Sequence, residues 1–431
     1  MSGYQQDPQL EVAIIGGGVC GLTCAVALAK KGVKAHVYEA RGQLGEIGAG
    51  IGLGANVLQI MRELGAYEDI LAHTAEPGLP NIRGFRYVFG AEGHKEIFTM
   101  PLTPEEYGAS VHRTSFLDAL VKHLDPACVH LEKRCTTITE PHTPSARSVV
   151  HFDDGTSAEA DVVLLANGMK CPQRALVTGI APKASVAFGN TVCYRGLVTR
   201  EGAAAKGVDT SFWNYPMVCV GDGKHIVIYP IQKGAVINIA AFVANYDVPI
   251  GHPSTHRDPD LPSVEVVPTA DLLDAFADYG SNIRAVLGCI EKPNKWYINT
   301  VYPHLPTYAK GRVALLGDAA HAMLPHLYAG AGQGIEDAYL LAQLLSHAQT
   351  TPENVQDVLK VYDELRRPRS QKVWDQSTAA GRVRDGFGTS GFTVEGVSKD
   401  LTGNLDYVNS YRLGEDVQQA ELILKERGVY V

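Results

Sequence analysis

The 431-residue sequence predicts an α/β fold: a nucleotide-binding domain interrupted by a β-rich insert and followed by C-terminal helices. Three observations predict it. Residues 10–39 run strand, glycine loop, helix, strand, the length of one βαβ unit. Two further apolar runs of buried-strand type, at 161–167 (DVVLLAN) and 312–317 (RVALLG), lie far apart in the chain. Between them, from about 185 to 300, the texture changes to alternating strands. The nucleotide domain therefore draws its strands from both sides of the insert.

Each element follows from its residues. Residues 10–15 are rich in Val and Ile and run into glycines, which predicts a buried strand. Helix formers follow at 21–31 and a second strand at 33–39. The spacing of Val57, Leu58, Met61 and Leu64 predicts a helix over 55–64. Another is predicted over 116–124, with Thr114 or Ser115 as its cap. Strands are predicted at 191–199, 224–231 and 236–243, the last two forming a hairpin about Lys233-Gly234. Residues 247–268, rich in Pro, Asp and His, read as a surface loop. Ile335, Ala338, Ala342 and Leu345 form one stripe of a helix over 334–346, and the last hundred residues are mainly helical. The expected domains are 1–184 and 301–350 for nucleotide binding, 185–300 (with about 75–105) for a substrate domain, and 351–431 as a helical region.

Composition narrows the function. The chain is 45% hydrophobic and 20% charged, as in a soluble globular protein. A net charge of −9 argues against a nucleic-acid partner, which would require clustered Lys and Arg. No apolar stretch approaches the ~20 residues that span a bilayer, and the polar start of the chain shows no secretory pattern. The eight cysteines form no C-x-x-C pair or zinc spacing, which suits reduced thiols in a cytoplasmic protein. His321 and His326 are five apart across a proline with no third ligand nearby, so no metal site is expected.

Three segments read as one dinucleotide cradle. Gly16, Gly18 and Gly21 satisfy G-x-G-x-x-G between a strand and a helix. Gly16 makes the turn, Gly18 admits a pyrophosphate and Gly21 lets helix pack on strand. The helix N-terminus then offers free N–H groups to the phosphates. Glu39 ends the next strand, where its carboxylate can accept both ribose hydroxyls; Arg41 follows it. In the second segment, Asp318 after a buried strand can hold a polyol hydroxyl. In the third, Gly330, Ala331 and Gly332 open a helix whose N-terminus would stabilise the negative charge of a reduced flavin. Together these predict FAD.

The motifs resemble those of single-component FAD-dependent aromatic hydroxylases, the group A flavoprotein monooxygenases. The resemblance rests on the glycine loop with Glu39, on DVVLLANGMKCPQRALV (161–177), on GDAAHAMLPHLYAGAGQGIEDAYLLAQLL (317–345) and on YDELRRPRSQKV (362–373). The third segment is most similar to salicylate hydroxylases and their fungal relatives. It implies a Rossmann-like FAD-binding domain with an inserted substrate domain, the para-hydroxybenzoate hydroxylase-like fold. It also implies that Arg113 contacts the flavin, that Glu46–Gly50 is a mobile-flavin loop, that Pro325 lies against the isoalloxazine ring and that His326 lies beside it. Two positions depart from the family: Asn167-Gly168 replaces Asp-Gly, and Leu327-Tyr328 replaces Gln-Gly before the helix. The first keeps hydrogen bonding but loses the charge that the family uses in flavin and nicotinamide binding; the second places two bulky side chains at the flavin's reactive face.

In such enzymes NADH or NADPH reduces the flavin, and O2 then forms a C4a-hydroperoxide that attacks an electron-rich ring. The protein must hold a phenolate and exclude water. His225 and Tyr229, four apart on a predicted strand, share one face, and Asn238 on the paired strand can reach the same cavity. Arg195 matches an arginine that relatives use to fix a phenolate. The expected partners are a small aromatic substrate, O2 and NAD(P)H, on a monomer or homodimer. Hydroxylation of a phenolic or hydroxybenzoate-type ring, with or without decarboxylation, leads. Leu327 and Tyr328 keep open epoxidation, dearomatisation or ring expansion of a prenylated or polyketide phenol. Asn167 keeps open a flavin-binding protein without turnover.

Overall fold

The computed structural model describes residues 10–45, 50–74, 76–140, 146–258, 260–412 and 414–431. A six-stranded sheet carries Glu11–Ile15 at its centre. That strand pairs in parallel with Lys34–Tyr38 on one side and Val162–Leu165 on the other. Val313–Leu315 pairs in parallel with the latter, so strands from before and after the insert share one sheet. Such a sheet is covered on both faces, and Val12, Ile14, Val163 and Leu164 are accordingly all solvent-inaccessible. Helix Val19–Lys30 packs against helix Gly330–Leu345 above it.

The insert builds an eight-stranded sheet whose first two strands in sequence are Gly84–Phe89 and Glu96–Pro101. The predicted hairpin is present: Lys224–Ile231 pairs antiparallel with Val236–Ala244 across a 3-10 turn, Gln232–Gly234. Alternation gives the sheet two faces. Tyr194, Ile226, Ile228 and Ile239 face a core shared with helices Thr269–Ala275 and Ser281–Leu287. Cys193, Val227, Ala240 and Phe242 face the other way, toward Val383, Val397 and Leu401 of the C-terminal helices.

Some elements differ from expectation. The helix predicted over 116–124 is Arg113–Val121 with His112 at its cap, because the chain turns directly from strand Ala109–His112. The helix predicted from 334 begins at Gly330, taking the glycines into its first turn. The stretch read as a loop at 247–268 contains the edge strand Val264–Val266, paired with Asn294–Val301. Helix Val355–Arg384 runs 30 residues through Pro368 and ends over the second sheet. Among the described residues no helix is long and apolar enough to cross a membrane, and no cluster suits a metal ion.

Candidate active site

A cavity of about 770 Å³ opens beside the glycine loop, within the ~300–1,000 Å³ typical of ligand and cofactor sites. Gly16, Gly18, Glu39 and Arg41 line one end. Gly16 has φ +113°, and a Cβ there would press on the Ala166 carbonyl. Gly21 lines no part of the cavity; a Cβ on it would overlap the Gly16 carbonyl oxygen, so its role is to let helix meet strand. The Glu39 carboxylate is fixed in place: Oε2 accepts the Gly17 N–H at 2.7 Å and Oε1 the Arg41 N–H at 2.9 Å. Its remaining lone pairs suit a ribose diol.

Arg113, Asp318 and Ala331 line the cavity farther along. Arg113 Nη2 lies 4.0 Å from where a Cβ on Gly18 would stand. Asp318 begins helix Asp318–His321 and is exposed, while Ala331 sits in the first turn of helix Gly330–Leu345. Behind them Asp337 ties the two segments together. Its Oδ2 accepts the Gly317 N–H at 3.0 Å and faces His321 Nε2 at 2.7 Å, and its Oδ1 accepts from Arg366 Nε at 2.8 Å. Burial alone would raise the Asp337 pKa; the His321 and Arg366 charges outweigh it and hold the group low. His321 thus has a carboxylate partner. FAD fits this donor set: a glycine turn for phosphates, an anchored acid for ribose, a second acid for the polyol and a helix N-terminus for the ring.

Arg195, on the second sheet, and Gly50, on the short strand Gly50–Leu53 paired with Ala109–His112, line the same cavity. The Arg195 side chain makes no hydrogen bond or ion pair with another described residue. The Tyr229 hydroxyl lies 2.9 Å from where a Cβ on Gly50 would stand. Tyr229 therefore borders the first cavity while lining a second one of about 500 Å³, together with Gly52, Phe85 and Tyr328. Burial raises the Tyr229 pKa, with Arg195 opposing, so its phenol keeps its proton. Asn238 lies directly across the ladder from Tyr229, is 3% exposed, and its Nδ2 has no partner among the described residues.

Other expected residues stand apart from these walls. His225 shares the Tyr229 face but lies four residues away, about 13 Å along a strand. It is fully buried: Nδ1 meets Asp385 Oδ1 at 2.6 Å, and Tyr246 donates to Asp385 Oδ2 at 2.7 Å. Its ring stacks on Phe242, and His326 meets both edge-on. Burial lowers the pKa of both histidines, leaving neutral packing groups outside both cavities. Pro325 is exposed but lines neither. Leu327 packs with Val373, Ala380 and Val408. Gly330 and Gly332 shape the helix start, the latter close to Val57, and do not line the large cavity. Residues 46–49 of the expected mobile loop lie outside the described residues.

Sequence reasoning overlooked Lys133, Arg134 and Lys170 at the large cavity, although basic residues opposite a phosphate loop are a usable signal. Asn167 also lines it, and its amide donates to Gln173 Oε1 at 2.8 Å.

The cradle and its fold define an FAD-binding oxidoreductase, and the comparisons agree. Residues 9–174 and 280–377 match the FAD-binding domain family, the gap falling in the insert, and the chain belongs to that family. Within it the chain is a flavin-dependent aromatic monooxygenase of the salicylate hydroxylase type. It is 34% identical over 425 residues to a salicylate hydroxylase of Pseudomonas putida, covering 95% of this chain and 94% of that one. It is 33% identical over 383 residues to the 6-methylsalicylate 1-monooxygenase atA of Aspergillus terreus, covering 87% and 83%. A solved salicylate hydroxylase substrate complex superposes with a TM-score of 0.82 at 31% identity, covering 96% of this chain and 98% of that one.

Proposed function

We propose that this enzyme uses NADH or NADPH and O2 to hydroxylate a phenolic or hydroxybenzoate-type ring. The observation that carries the reading is Arg195: a guanidinium with no hydrogen-bond or ion-pair partner among the described residues, on the wall of the flavin cavity, beside the protonated phenol of Tyr229. Bound FAD supplies electron transfer from the nicotinamide and the activation of O2. The chain's part is to hold and polarise the ring. Arg195 stabilises a substrate phenolate, which makes the ring electron-rich. Tyr229 donates a hydrogen bond to that oxygen, and the buried Asn238 amide offers a second donor. Apolar neighbours such as Val227 and Phe85 keep water from the reacting face.

A second reading is that the same chemistry serves epoxidation, dearomatisation or ring expansion of a larger phenol. The second cavity favours it, because about 500 Å³ adjoining Tyr229 leaves room for a substituent. Product masses together with NMR separate the two. Phenols and hydroxybenzoates are screened with NADH and NADPH on the FAD-loaded protein. A net gain of one oxygen marks oxygenation or isomeric ring expansion, then distinguished by NMR. A gain of one oxygen with loss of CO2 marks decarboxylative hydroxylation. Flavin reduction without any oxygenated product would defeat both readings.

A further inference from the structure

A third, smaller cavity of about 40 Å³ lies where strand Gly50–Leu53, the start of helix Gly330–Leu345 and the short helix Asp406–Asn409 meet. Its walls are mainly apolar, with Leu53, Ile82, Phe85, Leu327 and Val408 among them. Packed interiors hold few voids larger than a water molecule, so a space of this size is an exception.

Size and chemistry exclude most occupants. An apolar cavity of about 150 Å³ takes up benzene or xenon, so this one is too small for an aromatic ring or a nicotinamide. Its polar groups are few. Asn56 Nδ2 donates to Glu336 Oε1 at 2.6 Å, and Glu106 Oε2 accepts the Thr103 N–H at 2.8 Å. The two amide oxygens sit together at one end: Asn56 Oδ1 and Asn409 Oδ1 lie 2.6 and 3.7 Å from where a Cβ on Gly54 would stand. Asn56 Oδ1 has no partner among the described residues. A water bound there takes roughly 10–15 Å³, and the apolar remainder suits a small molecule that forms no hydrogen bonds.

Position says which molecule. Gly52 and Gly332 line the small cavity, while Gly50 and Ala331, on the same strand and helix, line the flavin cavity. Strand and helix start thus form the partition between the two, and at Gly52 and Gly332 it carries no side chain. Leu53, Leu327 and Val408 are buried, whereas Leu102 and Leu405 on the same lining are half-buried and mark the way in from solvent.

We propose that this cavity is a holding site for O2, which enters past Leu102 and Leu405 and crosses the glycine partition to the reduced flavin. This rests on the oxygenase function proposed above and adds the route of its gaseous substrate, separate from the aromatic one.

The test has two readouts. Crystals of the FAD-loaded protein are pressurised with xenon. Reduced protein is mixed with O2 without aromatic substrate, so that the flavin passes two electrons and two protons to O2 and hydrogen peroxide leaves. Xenon is expected in the wild-type cavity. Leu102→Trp fills the entrance, expels xenon and lowers the second-order rate constant of reoxidation fivefold or more, while flavin reduction by NAD(P)H keeps its rate. Leu405→Trp is a second plug of the same entrance, used if the first variant fails to fold. No xenon in the wild-type cavity overturns the proposal. So does a variant that excludes xenon yet reoxidises at the wild-type rate, or one that slows reduction and reoxidation alike. In those cases continued oxygenation of phenols by the wild type leaves the general function standing, whereas a wild-type reduced flavin inert to O2 removes both.

Discussion

Glu39 and Arg195 mark opposite ends of one cavity, and each has a separable consequence. Glu39→Ala removes the anchored ribose acceptor, and the FAD dissociation constant rises about tenfold or more, from the roughly 1.5–3 kcal/mol of a hydrogen bond to a charged group. Quenching of flavin fluorescence on titration measures it, and an unchanged constant contradicts the assignment. Arg195→Met leaves the flavin spectrum intact but cuts phenol-stimulated oxygenation by a hundredfold or more while NAD(P)H oxidation becomes uncoupled. Retained coupling would remove Arg195 from the substrate site. At this scale the sequence was informative about faces and less so about depth. Period-two alternation placed His225, Tyr229 and Asn238 on one side of the hairpin, as observed. It could not show that His225 lies under Phe242 and bonds Asp385, a partner 160 residues away.

Two helix crossings hold the cradle. Gly334 has no room for a side chain, because a Cβ there would overlap Cys20 Sγ and press on Gly317. Gly334→Ala therefore forces helix Gly330–Leu345 away from helix Val19–Lys30, with a loss of about 1–3 kcal/mol and weaker FAD binding, read by thermal unfolding with and without FAD. The same helix carries Glu336 and Asp337, and Arg366 bridges both at 2.8 Å from helix Val355–Arg384. Arg366→Ala removes the counter-charge shared by two buried carboxylates, leaving Glu336 with Arg369 and Asp337 with His321 and the Gly317 N–H, and costs about 3–5 kcal/mol. Asp337 also predicts a pH dependence. Its folded pKa lies below its unfolded one, so its stabilisation is present above the unfolded value and is lost as pH falls through the folded value. The wild type should lose more melting temperature than Asp337→Asn on acidification below the usual carboxylate range. Parallel acid limbs for the two would refute this. The sequence showed the glycines and the helix stripe, but not this polar brace, since its members come from three separate segments.

In the whole molecule, a discontinuous parallel sheet holds the cofactor and an antiparallel sheet faces it with the reacting side chains. That division was legible because buried parallel strands and alternating strands leave different patterns. The helical tail was legible only as helical; its path over the second sheet depends on packing that no local pattern encodes. The central claim is that the cavity between these parts supports flavin-dependent oxygenation of an aromatic ring. The most direct test is to isolate the yellow FAD protein, supply NAD(P)H with phenols and hydroxybenzoates under isotopically heavy O2, and weigh the products. One heavy oxygen atom in an aromatic-derived product, formed only with reduced nicotinamide, is the predicted result. A protein that retains no flavin, or one whose consumed O2 appears wholly as hydrogen peroxide with every aromatic tried, would contradict the account.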